Sequence, residues 1–297
     1  MPYVYLNGGC GKGIEAFYPM TKNNHQMFYG ATELTDAQFN KVKDLIYREC
    51  GIFLKSGKEA LVKARLTKRL RALRMGSFGE YIDYLENEGG KLELSSMIDV
   101  MTTNKTSFFR EIDHFHFLRD SVLPKLRSRK IRLWSAGCSS GEEPFTLGMV
   151  LSESLTDLEL RNVLILATDL STDMVKQTKS AVYSEAKIAT LPKSLLNRYF
   201  VKIGSNGATS YQLSPAIRKI VRPAKLNLMD SWPMKGPFDV IFCRNVMIYF
   251  DARTQAKLVN RFWDLLGPGG YLFVGHSEGL SSIQHKFQYQ QPAVYKK

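Results

Sequence analysis

A chain of 297 residues is long enough to bury a sizeable core, as one large domain or two modest ones, and its 44% apolar and 23% charged residues exclude a disordered or fibrous protein. The net charge of +13 calls for an acidic partner, which could be nucleic acid, an anionic membrane or an acidic protein. No run approaches the roughly 18–20 apolar residues of a membrane span, the N-terminus lacks the pattern of a signal peptide, and Cys10, Cys50, Cys138 and Cys243 form no C-x-x-C pair. A cytoplasmic chain with reduced thiols, no zinc knuckle and no membrane insertion is expected.

Residues 1–30 mix Gly, Asn and aromatics without a period and read as a loose extension, open to disorder. Their "GGCGKG" fails as a phosphate-binding loop, because Leu6 replaces its first glycine and Gly13 its Ser or Thr. Residues 31–129 are expected to form an all-helical N-terminal domain. Thr35 or Asp36 caps its first helix, Phe39, Val42 and Ile46 recur at helical spacing, and Gly51 stops it. The next helix, "SGKEALVKARLTKRLRALRMG", aligns Val62, Leu66, Leu70 and Leu73, flanked by Arg65, Lys68, Arg69 and Arg71 among other cations, with Glu59 the only acid. Such a face is either merely solvated or a docking surface for an acidic partner.

Residues 130–297 change texture. Strands are expected at "IRLWSAG", "VLILATDL", "FDVIFCRNV" and "GYLFVGHS", with helices after the first three that start near Gly141, Ser171 and Asp251 or Ala252. Such alternation gives an α/β fold with a mostly parallel, doubly wound sheet, whose ligands sit beyond the carboxyl ends of the strands. A long interruption, about 181–230, carries two β-like runs around "GSNGATS" and is expected to insert a small antiparallel hairpin at about 190–225. An exposed hairpin edge could add a peptide strand or serve as a plain structural flap.

The turn "SAGCSSGEEP" follows a strand and opens a helix, the usual place for phosphate, yet two glutamates there would repel it. Asp169 ends the next strand about thirty residues on, where nucleotide-binding folds place the acid that accepts from ribose hydroxyls. A nucleoside without phosphate, carrying positive charge, suits both features, and S-adenosylmethionine is such a molecule, although acids at strand ends are common and the spacing alone leaves a dinucleotide as the alternative.

The segments "MTTNKTSFFRE", "SAGCSSGEEPFTLGM", "LATDLS", "LNLMD", "FCRNVMIYFD" and "LGPGGYLFVGHSEGL" stand in one order that resembles the CheR family of chemotaxis receptor methyltransferases, from about residue 30 to the end. The resemblance implies a Rossmann-like methyltransferase domain behind an all-α domain, and transfer of methyl from S-adenosylmethionine to glutamate side chains in the cytoplasmic domain of chemoreceptors, leaving S-adenosylhomocysteine. It further implies that Asn104, Thr106 and Arg110 line the cofactor and reaction site, with Gly137 in the cofactor turn. Glu143 would lie near the methionine end and Asp169 at the ribose. Asn227, Leu228, Asn245 and Val246 would border the adenine and the rest of the cofactor, and Tyr249 would stand near the transferred methyl. Arg110 and Tyr249 are the candidate catalytic residues, and no metal is implied. His276 of "GHSE" is assigned to structure or cofactor support. The family also offers a precedent in which the inserted hairpin grips a peptide at the receptor C-terminus. A monomer is expected.

The chemistry agrees: a glutamate carboxylate is already ionised near neutral pH, so it can attack methyl without a strong base. Two other readings stay in view. A nucleic-acid methyltransferase would suit the net charge, but enzymes acting on exocyclic base nitrogens carry an Asn/Asp-Pro-Pro-aromatic loop where this chain reads "RNVMIYFD". A binding module that docks without turnover would not need the complete set of pocket residues.

Overall fold

The computed structural model describes residues 33–87, 90–126, 130–204 and 209–297. The N-terminal extension and the tip of the expected hairpin lie outside the described residues.

Helix α1 (Asp36–Cys50) opens on a capping box: the Thr35 hydroxyl accepts from the Gln38 backbone N–H while the Gln38 side chain accepts from that of Thr35. It ends at Gly51, whose left-handed φ of 73° closes the last turn. Helix α2 (Glu59–Leu73) buries Val62, Leu66 and Leu70, while Leu73 at its end is only partly covered. Helices α3 (Phe78–Glu86) and α4 (Lys91–Met101) pack against α2 and each other. Residues 102–112 leave the helical path. Helix α5 (Asp113–Phe117), a π turn (Leu118–Val122) and a 3-10 turn (Leu123–Lys125) then carry the chain to the sheet.

Helical structure therefore persists toward the expected boundary near 129, but the chain changes partner much earlier. The apolar residues of α1–α4 belong to one core, whereas Phe108, Phe115, Leu118, Val122 and Leu126 belong to the other. Periodicity reports that a stripe exists and not which surface it covers.

The remaining chain alternates as expected: β1 (Ile131–Ala136), α6 (Glu142–Ser154), α7 (Asp157–Leu160), β2 (Val163–Asp169) and α8 (Thr172–Ser180). Then come β3 (Val182–Ser184), α9 (Glu185–Ile188), α10 (Lys193–Tyr199), β4 (Phe200–Ile203), β5 (Ser210–Leu213), α11 (Pro215–Ile220) and β6 (Val221–Lys225). The chain closes with β7 (Phe238–Cys243), α12 (Ala252–Leu265), β8 (Leu266–Val274), β9 (Gln288–Gln291) and β10 (Val294–Lys296).

The main sheet runs β6-β2-β1-β7-β8-β10-β9, parallel from β6 through β8 and antiparallel where β10 joins β8 and β9. Side chains alternate between its faces: Trp134, Ala136, Ile241, Cys243, Leu272 and Val274 join the core shared with α1–α4 and α12. Leu133, Val240, Phe242, Tyr271 and Phe273 join the core covered by α6. The chain order reverses between β1 and β7, which opens a crevice at their carboxyl ends.

Two expectations about the interruption need correction. The small sheet has three strands, β3-β5-β4, because Val182–Ser184 pairs with β5; the insert thus begins near 182 rather than 190. It also ends earlier, at Leu213, since β6 lies at the edge of the main sheet beside β2. Pro223 within β6 obscured a strand in the sequence, and an edge position is where a sheet tolerates the missing N–H.

Candidate active site

Beyond the carboxyl ends of β1, β2, β6 and β7 lies a cleft of about 440 Å³, closed on one side by the start of α2 and the 102–110 segment. Its volume falls in the usual range for small-molecule sites. Every residue implied for cofactor or catalysis reaches this wall: Asn104, Thr106 and Arg110 from the segment before α5, Gly137 and Glu143 after β1, Asp169 at the end of β2. Asn227 and Leu228 arrive from the β6 end, and Asn245, Val246 and Tyr249 follow β7.

Gly137 sits at φ 84°, and a Cβ there would approach the Val246 Cγ2 to 2.3 Å. The β1 and β7 loops meet at that point, so a side chain would push the two walls apart. Asp169 accepts from the backbone N–H of Ser139 (2.7 Å, Oδ2) and of Ser171 (2.8 Å, Oδ1). Burial raises its carboxyl above the usual range while these N–H groups oppose the shift. Two bonds leave acceptor capacity toward the cleft, which suits neutral hydroxyl donors.

The two glutamates of the β1–α6 turn diverge. Glu143 lines the cleft, accepts from the Ser135 hydroxyl at 2.8 Å and from Arg244 Nη1 at 3.1 Å, and has its carboxyl raised by burial against the pull of Arg244. Glu142 is wholly buried on the other side, bonded to Lys187 of α9 at 2.9 Å and to the Ser140 hydroxyl at 2.6 Å. Only Glu143 is placed to meet a ligand.

Arg244, the residue sequence reasoning missed, organises this end of the cleft. Its side chain is 2% exposed, with ion pairs of 3.1 Å to both Glu111 and Glu143, and its guanidinium also donates to the Arg110 carbonyl. Burial is the largest influence on the Glu111 carboxyl and works to raise it, but the charge and hydrogen bonds of Arg244, with His114 and His276 beside it, together outweigh burial and hold that group below its ordinary range. Phe109 and Glu111 both adopt left-handed backbone (φ 54° and 56°), so Arg110 is presented from a strained turn fastened by Arg244 on one side. On the other side the Phe109 N–H donates to the Thr146 hydroxyl at 3.2 Å, and the Ser139 hydroxyl donates to the Asn104 carbonyl at 2.9 Å. A second missed residue, Glu278, accepts from the backbone N–H groups of Gly275 and Asn245 (2.6 Å each) and Ile248 (3.0 Å), which shapes the loop carrying Tyr249. In sequence both lie inside the quoted segments, but only burial separates them from surface charges.

Other expected residues also make bonds within the protein where they stand. The Asn227 amide donates to the Glu49 carbonyl at 2.7 Å and to Asp230 at 3.1 Å, tying the β6 end to α1. On α2, Arg65 lines the cleft but donates to Thr103 Oγ1 at 2.9 Å and to the Met101 carbonyl. Arg69 is committed to Glu93 through two bonds of 2.8 and 2.6 Å. Of the four expected docking residues only Lys68 and Arg71 are exposed, and neither lines the cleft.

Glu111, His114 and His276 place ligand atoms within 4.8 Å of one another, and His276 packs edge-on to His114. A tetrahedral ion needs ligand atoms about 3.3 Å apart, and Arg244 already occupies the Glu111 carboxylate that a cation would require. Burial and the Arg244 charge push His114 down to about 3, so it is neutral at physiological pH. Neutral imidazole is the ligating form, so what makes this group suit a metal poorly is the wide spacing of its ligand atoms and the Glu111 carboxylate already held by Arg244. Cys50, Cys138 and Cys243 are all buried and their thiols are raised, which makes them poor nucleophiles.

A pocket with carboxylates at two positions, apolar walls at Leu228 and Val246, and its one deep cation neutralised by two acids fits a cationic nucleoside better than a phosphorylated one. Comparisons with known proteins agree. Residues 37–102 match the family model of the CheR methyltransferase all-alpha domain, and residues 104–295 that of the CheR methyltransferase SAM-binding domain. A chemotaxis protein methyltransferase of Borreliella burgdorferi is 38% identical over 283 residues, covering 92% of this chain and 99% of the relative. A chemotaxis protein methyltransferase of Escherichia coli is 38% identical over 263 residues, covering 88% and 91%. A probable chemotaxis protein methyltransferase of Rhizobium etli is 38% identical over 249 residues, covering 82% and 93%.

Proposed function

Since the chain belongs to the CheR methyltransferase family, we propose that it transfers methyl from S-adenosylmethionine to glutamate carboxylates in the cytoplasmic domain of chemoreceptors, forming glutamate methyl esters. The observation that carries this reading is the convergence of Glu143, Asp169, Arg110 and Tyr249 on one cleft at the switch point of the sheet. The cofactor supplies an electrophilic methyl on a sulfonium centre. Glu143 would accept from its ammonium group, Asp169 would accept from its ribose hydroxyls, and Leu228 and Val246 would wall its base.

Arg110 offers a fork of donors that fits a carboxylate, and Tyr249 one hydroxyl; together they orient the attacking oxygen of the substrate. A bond forms from that oxygen to the methyl carbon as the carbon–sulfur bond breaks, and a negative and a positive charge disappear together. The low-dielectric wall around Glu143 and Arg244 favours such neutralisation, and an ionised nucleophile needs neither strong base nor metal. Lys68 and Arg71 steer the acidic substrate from the outer face of α2. The open edge of β4 is the place where a C-terminal receptor peptide would add as a strand. On this reading the protein acts as a cytoplasmic monomer on protein rather than nucleic acid, in keeping with "RNVMIYFD" where a base-methylating enzyme would carry Asn/Asp-Pro-Pro-aromatic.

The test is incubation of the purified chain with methyl-labelled S-adenosylmethionine and receptor cytoplasmic fragments, RNA or DNA. Base-labile label on a receptor fragment is expected, because esters hydrolyse in base. Base-stable label on nucleic acid alone would overturn the reading, as would absence of cofactor binding in calorimetry.

A further inference from the structure

Nine large apolar side chains are exposed among the described residues, and four of them gather at the mouth of the cleft: Tyr47, Phe53, Leu61 and Ile248, each between 38% and 46% exposed. Phe53, Leu61 and Ile248 line the opening itself. Tyr47 packs edge-on to Phe53 with centroids 6.4 Å apart, and the Tyr47 hydroxyl donates to Asp251 at 2.8 Å, which fixes the ring in place. The Phe53 N–H donates to the Tyr249 carbonyl at 2.7 Å, so the apolar rim and the candidate catalytic tyrosine are joined through backbone.

Exposed Lys55, Lys58 and Lys105 stand on the same wall, and Lys43 lies over the Phe53 ring at 5.7 Å from its centroid. Capture of one glutamate side chain would need only the groups inside. A clustered apolar surface rimmed by cations is instead the signature of a protein interface.

We infer that the Tyr47, Phe53, Leu61 and Ile248 rim reads the residues around the target glutamate, taking apolar side chains from an acidic amphipathic segment. The inference rests on the proposed methylation of a receptor segment. It adds that charge alone does not select the site. On a helical substrate, apolar residues three or four positions from the glutamate share its face and would meet the rim when the carboxylate enters the cleft. The lysines attract the segment, and the apolar contacts fix which glutamate enters.

The experiment compares the purified full chain with the triple variant Phe53→Ser, Leu61→Ser, Ile248→Ser and with the single variant Phe53→Ser. Leu92→Ser serves as control, because Leu92 is exposed and lies away from the cleft. The KM for a receptor fragment is expected to rise about tenfold or more in the triple variant and a fewfold in Phe53→Ser. S-adenosylhomocysteine affinity and the melting temperature should match those of wild type, and the control should leave KM unchanged.

Wild-type KM in the triple variant, with the native enzyme turning over, would overturn the inference alone. So would an unchanged KM accompanied by conversion of a dimer to a monomer in sedimentation, since the rim would then belong to a second copy. A native enzyme that methylates no receptor fragment would overturn the functional reading and this inference with it.

Discussion

Arg244 and Arg71 are the same residue type in opposite situations. The side chain of Arg244 is 2% exposed and divides its guanidinium between Glu111 and Glu143, whereas Arg71 projects into solvent from α2. Two unit charges about 4 Å apart attract by roughly 1 kcal/mol in water and about 4 kcal/mol at the effective dielectric of protein. The floor of the cleft is therefore a place where one lost charge strands two others, while the outer face of α2 is a place where salt can replace any one of them. A positive charge in this molecule means placement in the first region and attraction in the second.

Removal of Arg244 is the strongest way to test that contrast. Arg244→Met leaves two carboxylates without their cation and frees the strained turn at Arg110. A lowered melting temperature is expected, together with a loss in kcat/KM of about a hundredfold or more in steady-state kinetics. Arg244→Lys should recover part of the stability but little of the rate, because one ammonium cannot bridge three acceptors in a plane. Near-normal kcat/KM in Arg244→Met would erase the distinction between the regions.

Glu143→Gln should be next in size, raising KM for the cofactor about tenfold without altering the receptor KM. The pH dependence has a defined sign. Burial raises the Glu143 carboxyl above its usual value of 4.5, so acidification neutralises it earlier than an exposed carboxylate and cofactor affinity falls as pH falls. Calorimetry with S-adenosylhomocysteine should show this decline in the native protein and a flatter profile in Glu143→Gln.

The smallest effect belongs to α2. The double variant Lys68→Glu, Arg71→Glu should raise the receptor KM twofold to fivefold at low ionic strength, and the difference should vanish at about 0.5 M salt. Cofactor affinity should not change. A difference that survives high salt would mean that these residues make specific contacts.

The sequence made the regular elements legible through their periods and caps. Thr35 and Gly51 bound α1 as expected, and Gly141, Ser171 and Asp251 stand at the starts of α6, α8 and α12. What escaped notice has specific causes. Pro223 disguised an edge strand, and β3 is too short, at three residues, to show an alternation. Every implied pocket residue reached the cleft, yet the chain's own pattern could not distinguish Arg244 from a surface arginine, since burial and ion pairing join positions more than a hundred residues apart. The overcounted residues on α2 fail for the same reason in reverse: Arg69 looks free on a helical wheel and is spoken for by Glu93.

The divergence of Glu142 and Glu143 has a consequence for the architecture as a whole. Glu142 is a fully buried carboxylate whose cation, Lys187, comes from the inserted segment, and the Tyr183 hydroxyl of β3 donates to the Ser140 carbonyl at 2.7 Å in the same turn. The insert thus works as a buttress for the β1–α6 turn. Excising it would orphan a negative charge one residue away from the glutamate that lines the cleft, so the smaller sheet can be remodelled along its outer edge but not dispensed with.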